Sequence, residues 1–231
     1  MTTGTTLKLP EALIFDMDGT LLETETLLTG VNQRLFDTLR EEGLYMEEAP
    51  PVSALLSCLG MLLEDIWKTI MPGNSEEARE RADELLLQYE IEGLAAGEGE
   101  LYPGVAATLA ALKEKGVKLF VASNGLEQYV RKIVEHKGLG HLFTDLYSAG
   151  EYNTSSKVDL VAMLMKKHGL TSAWMVGDRS SDIEAAHGNG IVGIGCVYAG
   201  YGKPDELAKA DAVIARFEEL ADMLDQAKAA V

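Results

Sequence analysis

The sequence predicts an α/β fold, a doubly wound and mostly parallel sheet interrupted by an all-helical insert. Three observations predict it. Short apolar runs end in turn residues, as buried parallel strands do. Helical patterns separate those runs, which implies right-handed crossovers. One long stretch early in the chain has helical periodicity only.

The first strand is Ala12-Leu13-Ile14-Phe15, which runs directly into Asp16-Met17-Asp18-Gly19-Thr20. From Thr24 to Gly99 the pattern is helical. Leu27, Leu28, Val31, Leu35 and Leu39 recur at helix spacing before Gly43, and Leu62, Leu63, Ile66, Trp67 and Ile70 repeat the pattern. After the breaker Met71-Pro72-Gly73-Asn74, a third helix is expected from Ser75 to about Glu92, with Glu76 and Glu77 in its first turn. Gly93 to Gly99 reads as a flexible return. These bounds predict a core of residues 1–23 and 100–231 with a helical insert of 24–99.

Beyond Tyr102-Pro103-Gly104 the alternation resumes, with a helix to Gly116, a strand over Val117–Ala122, a helix from Leu126 and a short strand near Leu146. A helix opening at Lys157 precedes strands at Ala173–Val176, Ile191–Val197 and Ala212–Ile214.

Composition narrows the function classes. The 231 residues include 47% hydrophobic side chains, enough for a packed interior. With 20 basic against 37 acidic residues the net charge is -17, which disfavours nucleic acid and anionic membranes as partners. The start has no apolar signal region, and no run approaches the roughly 18 apolar residues of a membrane span. A cytoplasmic protein is therefore expected. Cys58 and Cys196 stand too far apart in sequence to suggest a disulfide framework or a zinc site.

Four segments carry groups suited to chemistry. Asp16 and Asp18 lie two apart, so on a strand they would face opposite ways, but at a strand end Gly19 frees the backbone to bring both onto one ligand. A plain Asp-Gly turn after a strand is common, and the spacing fails as a calcium-binding loop. Ser123-Asn124-Gly125 follows a strand, where a hydroxyl and free backbone N–H groups can hold phosphate oxygens or merely cap a helix. Lys157 opens an amphipathic helix and could neutralise anions, although most such lysines are simply solvated. Gly177-Asp178-Arg179-Ser180-Ser181-Asp182 again sets acids at a strand's C-terminal edge, where hard cations find oxygen ligands or a helix start finds favourable charge. Together the four supply a nucleophile, an acid, metal ligands and a cation, the parts that phosphoryl transfer needs.

The order Asp16-x-Asp18-x-Thr20, Ser123, Lys157, then Gly177-Asp178 with Asp182 resembles the haloacid dehalogenase superfamily over nearly the whole chain. The resemblance implies a Rossmann-like core and an aspartyl-phosphate on Asp16, with Asp18 as leaving-group acid and then water-activating base. It implies Mg2+ held by Asp16, the Asp18 backbone carbonyl, Asp178 and Asp182. Thr20, Ser123, Asn124 and Lys157 would bind the phosphate or order the loop around it. The insert resembles the mobile cap of the phosphoglycolate phosphatase-like and β-phosphoglucomutase-like branch.

Two departures stand out. Lys157 lacks the proline that often follows the corresponding lysine, and Glu23-Thr24 replaces a common Asp-Ser. The expected activity is hydrolysis of a small phosphorylated metabolite: phosphoglycolate, a 5′-nucleotide or a sugar phosphate. A phosphosugar mutase is the nearest enzymatic alternative, and a non-catalytic binding protein the other. Leu59-Gly60-Met61 either faces the site or is a plain helix–helix turn, Trp67 reads as cap core, and none of the four histidines has ligand spacing. Oligomeric state is not legible.

Overall fold

The computed structural model describes residues 7–61, 63–202 and 205–229. Strand β1 (Ala12–Phe15) leads into the two-residue β2 (Leu22–Glu23). Four helices follow: α1 (Glu25–Glu41), α2 (Val52–Ser57), α3 (Leu63–Ile70) and α4 (Glu76–Ala95). The chain returns through β3 (Glu100–Leu101) to α5 (Val105–Glu114), β4 (Lys118–Ser123), α6 (Glu127–His136), β5 (Asp145–Ser148) and α7 (Ala149–Tyr152). It ends with α8 (Lys157–His168), β6 (Ala173–Gly177), α9 (Ser180–Gly188), β7 (Val192–Cys196), β8 (Ala212–Ile214) and α10 (Glu219–Ala229).

Six strands form a sheet of order β5-β4-β1-β6-β7-β8, parallel at every pairing. All four residues of β1 are buried, which explains their unbroken apolar run. Leu13 and Phe15 enter one core with Leu119, Val121 and Trp174, while Ala12 and Ile14 enter another with Phe120, Leu160 and Met175. The sheet is thus covered on both faces, the Rossmann-like arrangement. Because the chain runs from β1 outward to β4 and β5, then crosses back to β6, the helices diverge at the C-terminal ends of β1, β4 and β6. Open α/β sheets bind ligands in such a crevice.

Residues 24–99 contain helices and no strand among the described residues. Their core comes from Leu27, Leu28, Val31, Leu35 and Leu39 of α1 against Ala78, Ala82, Leu85 and Leu86 of α4. Ser75 caps α4 by accepting from the Ala78 N–H at 3.2 Å. Trp67 is buried inside this unit and donates from Nε1 to Asp83 Oδ1 at 3.0 Å. Two strands connect the unit to the sheet, β2 pairing antiparallel with β3.

Two differences from the sequence reading have physical causes. Helix α2, only six residues long, offers too few turns to show a period. Gly93–Gly99 is not a loose return: α4 continues to Ala95. Gly93 lies against Leu27, where a Cβ would come within 2.8 Å of its side chain. Gly97, at φ +92°, closes the helix, with the Glu98 N–H donating to the Gly93 carbonyl. Leu62, expected in the second helical pattern, lies outside the described residues. Among the described residues no helix is long and apolar enough to cross a membrane.

Candidate active site

The loop after β1 is shaped by its own backbone. The Asp16 N–H continues the ladder to the Val176 carbonyl at 2.9 Å. The Met17 carbonyl then accepts from Leu21 and Leu22 N–H at 2.9 and 3.0 Å, curling the chain. Gly19 sits in the left-handed region at φ +70°, and a Cβ there would come within 2.4 Å of Asp178 Oδ2. Both facts require glycine. The curl brings Asp16 and Asp18 to the wall of one cavity.

Three carboxylates and one ammonium meet beneath it. Lys157, the first residue of α8, is almost wholly buried and places Nζ 2.9 Å from Asp16 Oδ2 and 2.7 Å from Asp182 Oδ1. Burial acts to lower its pKa, but the charges of Asp16 and Asp182 outweigh this and hold it above the usual lysine range. Asp182 accepts from the Arg179 N–H at 3.0 Å and packs so close to β6 that a Cβ on Gly177 would meet its Cγ at 2.1 Å. Thr20 Oγ1 donates to Asp178 Oδ1 at 3.3 Å, while Asp178 Oδ2 is buried with no hydrogen-bond partner.

One oxygen from each of Asp16, Asp178 and Asp182 lies within 4.8 Å of the others. Burial, reinforced by Asp16, pushes the Asp182 carboxyl up to about 6 and Asp178 well above its usual range. One lysine does not balance three acids. An orphaned carboxylate oxygen in a set of hard oxygen donors is what a small divalent cation such as Mg2+ would satisfy.

Asp18 has a different setting. It makes no ion pair among the described residues, and its Oδ1 accepts from Tyr129 Oη at 2.6 Å and from Thr24 Oγ1 at 2.8 Å. Burial raises its pKa to about 6, with the Tyr129 hydrogen bond opposing and the Asp16 charge adding. Two carboxylates of one loop thus have unlike environments, the arrangement by which acid and base roles separate.

Ser123 is buried at the end of β4, and its Oγ accepts from the Gly125 N–H at 3.1 Å. Asn124 lines the cavity, and its Nδ2 donates one of its two amide hydrogens to the Gly60 carbonyl at 2.7 Å, tying it to the insert. Leu59, Gly60 and Met61 therefore face the site and are not simply a helix–helix turn.

A family model described as haloacid dehalogenase-like hydrolase matches residues 13–196. The chain belongs to this family. It is an enzyme, a hydrolase of the haloacid dehalogenase type. A phosphoglycolate phosphatase of Rhodospirillum rubrum is 29% identical over 227 residues, covering 94% of this chain and 90% of that protein. A protein named tyrosine-protein kinase PtkA in Mycobacterium tuberculosis is also 29% identical, over 94% of this chain and 72% of its own length. The crystal structure of a predicted phosphoglycolate phosphatase from Haemophilus somnus superposes with a TM-score of 0.80, covering 95% of this chain and 99% of that one. At 24% identity it establishes the shared fold.

Several groups of this haloacid dehalogenase-like site carry no sequence signal. Thr24 and Tyr129 reach Asp18 only because α1 and α6 start beside it. Glu90 of α4 is likewise brought in by packing, and Arg179, inside a segment the sequence marks, donates to Glu206 and to the Ser57 carbonyl of the insert. The histidines lie elsewhere: His168 packs at a tilt against Phe120, and His187 pairs with Asp211.

Proposed function

We propose that this enzyme is a Mg2+-dependent phosphate monoester hydrolase, with Asp16 as nucleophile and Asp18 as general acid and base. The observation that carries this reading is the contrast between the two carboxylates: Asp16 is ion-paired with Lys157, whereas Asp18 is held by two hydroxyls and makes no ion pair among the described residues. In the first step an Asp16 oxygen attacks phosphorus, the ester P–O bond breaks, and the proton of Asp18 passes to the departing alkoxide. In the second, Asp18 takes a proton from water as that water attacks the phosphoryl group, and the Asp16 carboxylate is released. A pKa near 6 lets Asp18 serve in both directions around neutral pH.

Asp16, the Asp18 backbone carbonyl, Asp178 and Asp182 would hold the ion, which when bound would offset the charge of the phosphate. Lys157, paired with both Asp16 and Asp182, adds positive charge beside the nucleophile. Ser123 and the N–H groups after β4 would orient the phosphate, and Thr20 fixes Asp178. Asn124 serves both the phosphate side and the insert. Residues 24–99 act as a cap on a core of 1–23 and 100–231, moving on the ribbon of β2 and β3 and excluding water when closed. The substrate is a small phosphorylated metabolite, and the R. rubrum relative supports phosphoglycolate as one member of the test set. The two buried free thiols suit a reducing, cytoplasmic compartment.

The test is phosphate release from a panel of phosphate monoesters, with and without Mg2+, with Asp16→Asn as control. The reading predicts Mg2+-dependent release that the substitution abolishes. Release that survives Asp16→Asn would contradict it.

A further inference from the structure

The insert closes the cavity over Asp16 and Asp18 with a wall of one-sided chemistry. Leu28, Leu55, Ile66 and Leu86 supply apolar surface. The charged groups that the insert adds are Asp83 and Glu90, seven positions apart on α4 and hence on one face. No lysine, arginine or histidine lines the cavity among the described residues.

The two acids are not equivalent. Asp83 is engaged by the Trp67 indole. Glu90 is 8% exposed and has no hydrogen-bond partner among the described residues. The nearby Tyr129 hydroxyl is already committed to Asp18. Burial, with the charges of Asp18 and Asp83, pushes the Glu90 carboxyl well above its usual range. A buried acid without a donor is destabilising in an empty site and becomes favourable when a ligand supplies the hydrogen.

We propose that Glu90 selects the leaving group, favouring phosphate esters that carry hydroxyl or amino hydrogens beyond the ester oxygen over those that carry a carboxylate there. A carboxylate in that position would add a further acid beside Glu90, Asp83 and Asp18, with no cation lining the wall among the described residues to receive it. A hydroxyl or ammonium donates to Glu90, while its carbon atoms lie on the leucine and isoleucine surface. Sites built to receive a substrate's O–H or N–H discriminate strongly against analogues that lack it, because the site's own polar group is left unpaired.

This inference rests on the phosphatase reading, and its test separates the two. Release of phosphate by the wild-type enzyme is measured for three esters of similar size, 2-hydroxyethyl phosphate, 2-aminoethyl phosphate and phosphoglycolate, with acetyl phosphate as a substrate that has no such group. The same ratios are then measured for Glu90→Gln, with its folding checked by thermal melting. The expected wild-type kcat/KM favours the hydroxyl or amino ester over phosphoglycolate by roughly 10- to 100-fold, the scale of leaving one buried polar group unpaired. Glu90→Gln should bring the ratio close to one.

A wild-type preference for phosphoglycolate overturns the assignment of Glu90 even when acetyl phosphate is hydrolysed, and so does a ratio unmoved by Glu90→Gln. Failure to hydrolyse any of the three esters or the acyl phosphate overturns the phosphatase reading and this inference with it.

Discussion

Asp18 depends on a partner that the sequence does not announce. The Tyr129 hydroxyl stabilises the ionised form of Asp18, so Tyr129→Phe should raise the Asp18 pKa further above about 6. The second step needs Asp18 ionised. The acid limb of the kcat–pH profile should therefore shift to higher pH, with a deep loss at pH 6 and partial recovery at pH 8; an unmoved limb would remove Tyr129 from this role. Glu90 makes a separate prediction about stability. Its folded pKa is raised, so its contribution is most favourable below the unfolded value of about 4.3 and is lost as pH rises toward the folded value. Glu90→Gln should thus raise the melting temperature more at pH 7.5 than at pH 4.5, and an equal effect at both would contradict the assignment. Asp16 and Asp18 stand out in the sequence because strand-end acids beside a glycine are a local pattern. Tyr129 and Glu90 do not, since their meeting with Asp18 depends on where two helices land.

Elements place the acids, and the close packing of β6 against α9 shows how. With no side chain at Gly177, Asp182 can lie against the strand and reach Lys157. Gly177→Ala should push Asp182 away and weaken Mg2+ binding by roughly tenfold, the scale seen when groups that orient metal ligands are disturbed. Calorimetric titration with Mg2+ checks this, and unchanged affinity would mean that the position of Asp182 is not set by β6. The strands of the sheet were legible as apolar runs ending in turn residues, and α1 and α4 as long periodic segments. Helix α2 was too short to reveal itself. Gly93–Gly99 read as flexible because composition alone cannot separate a loose glycine from one pressed against Leu27.

At the scale of the molecule, the buried cluster carries three carboxylates against one ammonium inside a chain of net charge -17. Mg2+ should therefore raise the melting temperature, by an amount equivalent to about 2.7 kcal/mol at a concentration 100 times Kd. Asp178→Asn, which relieves repulsion, should raise the melting temperature of the metal-free protein and blunt the response to Mg2+. An undiminished response in that variant would place the ion elsewhere. The doubly wound core with a helical stretch between its first two long strands could be read from the order of patterns along the chain. How closely the insert stands over the strand ends could not, because the contacts of Gly60 with Asn124 and of Ser57 with Arg179 join segments with no shared sequence signal.

The central claim is that phosphate passes through Asp16. Its most direct test is to incubate Asp18→Asn, which should form the covalent intermediate and hydrolyse it slowly, with acetyl phosphate and Mg2+, then quench and locate the phosphoryl group by peptide mass spectrometry. The account predicts one phosphoryl group on Asp16 and none when Asp16→Asn is added to the same background. A phosphoryl group on another residue, or turnover that persists without Asp16, would contradict it.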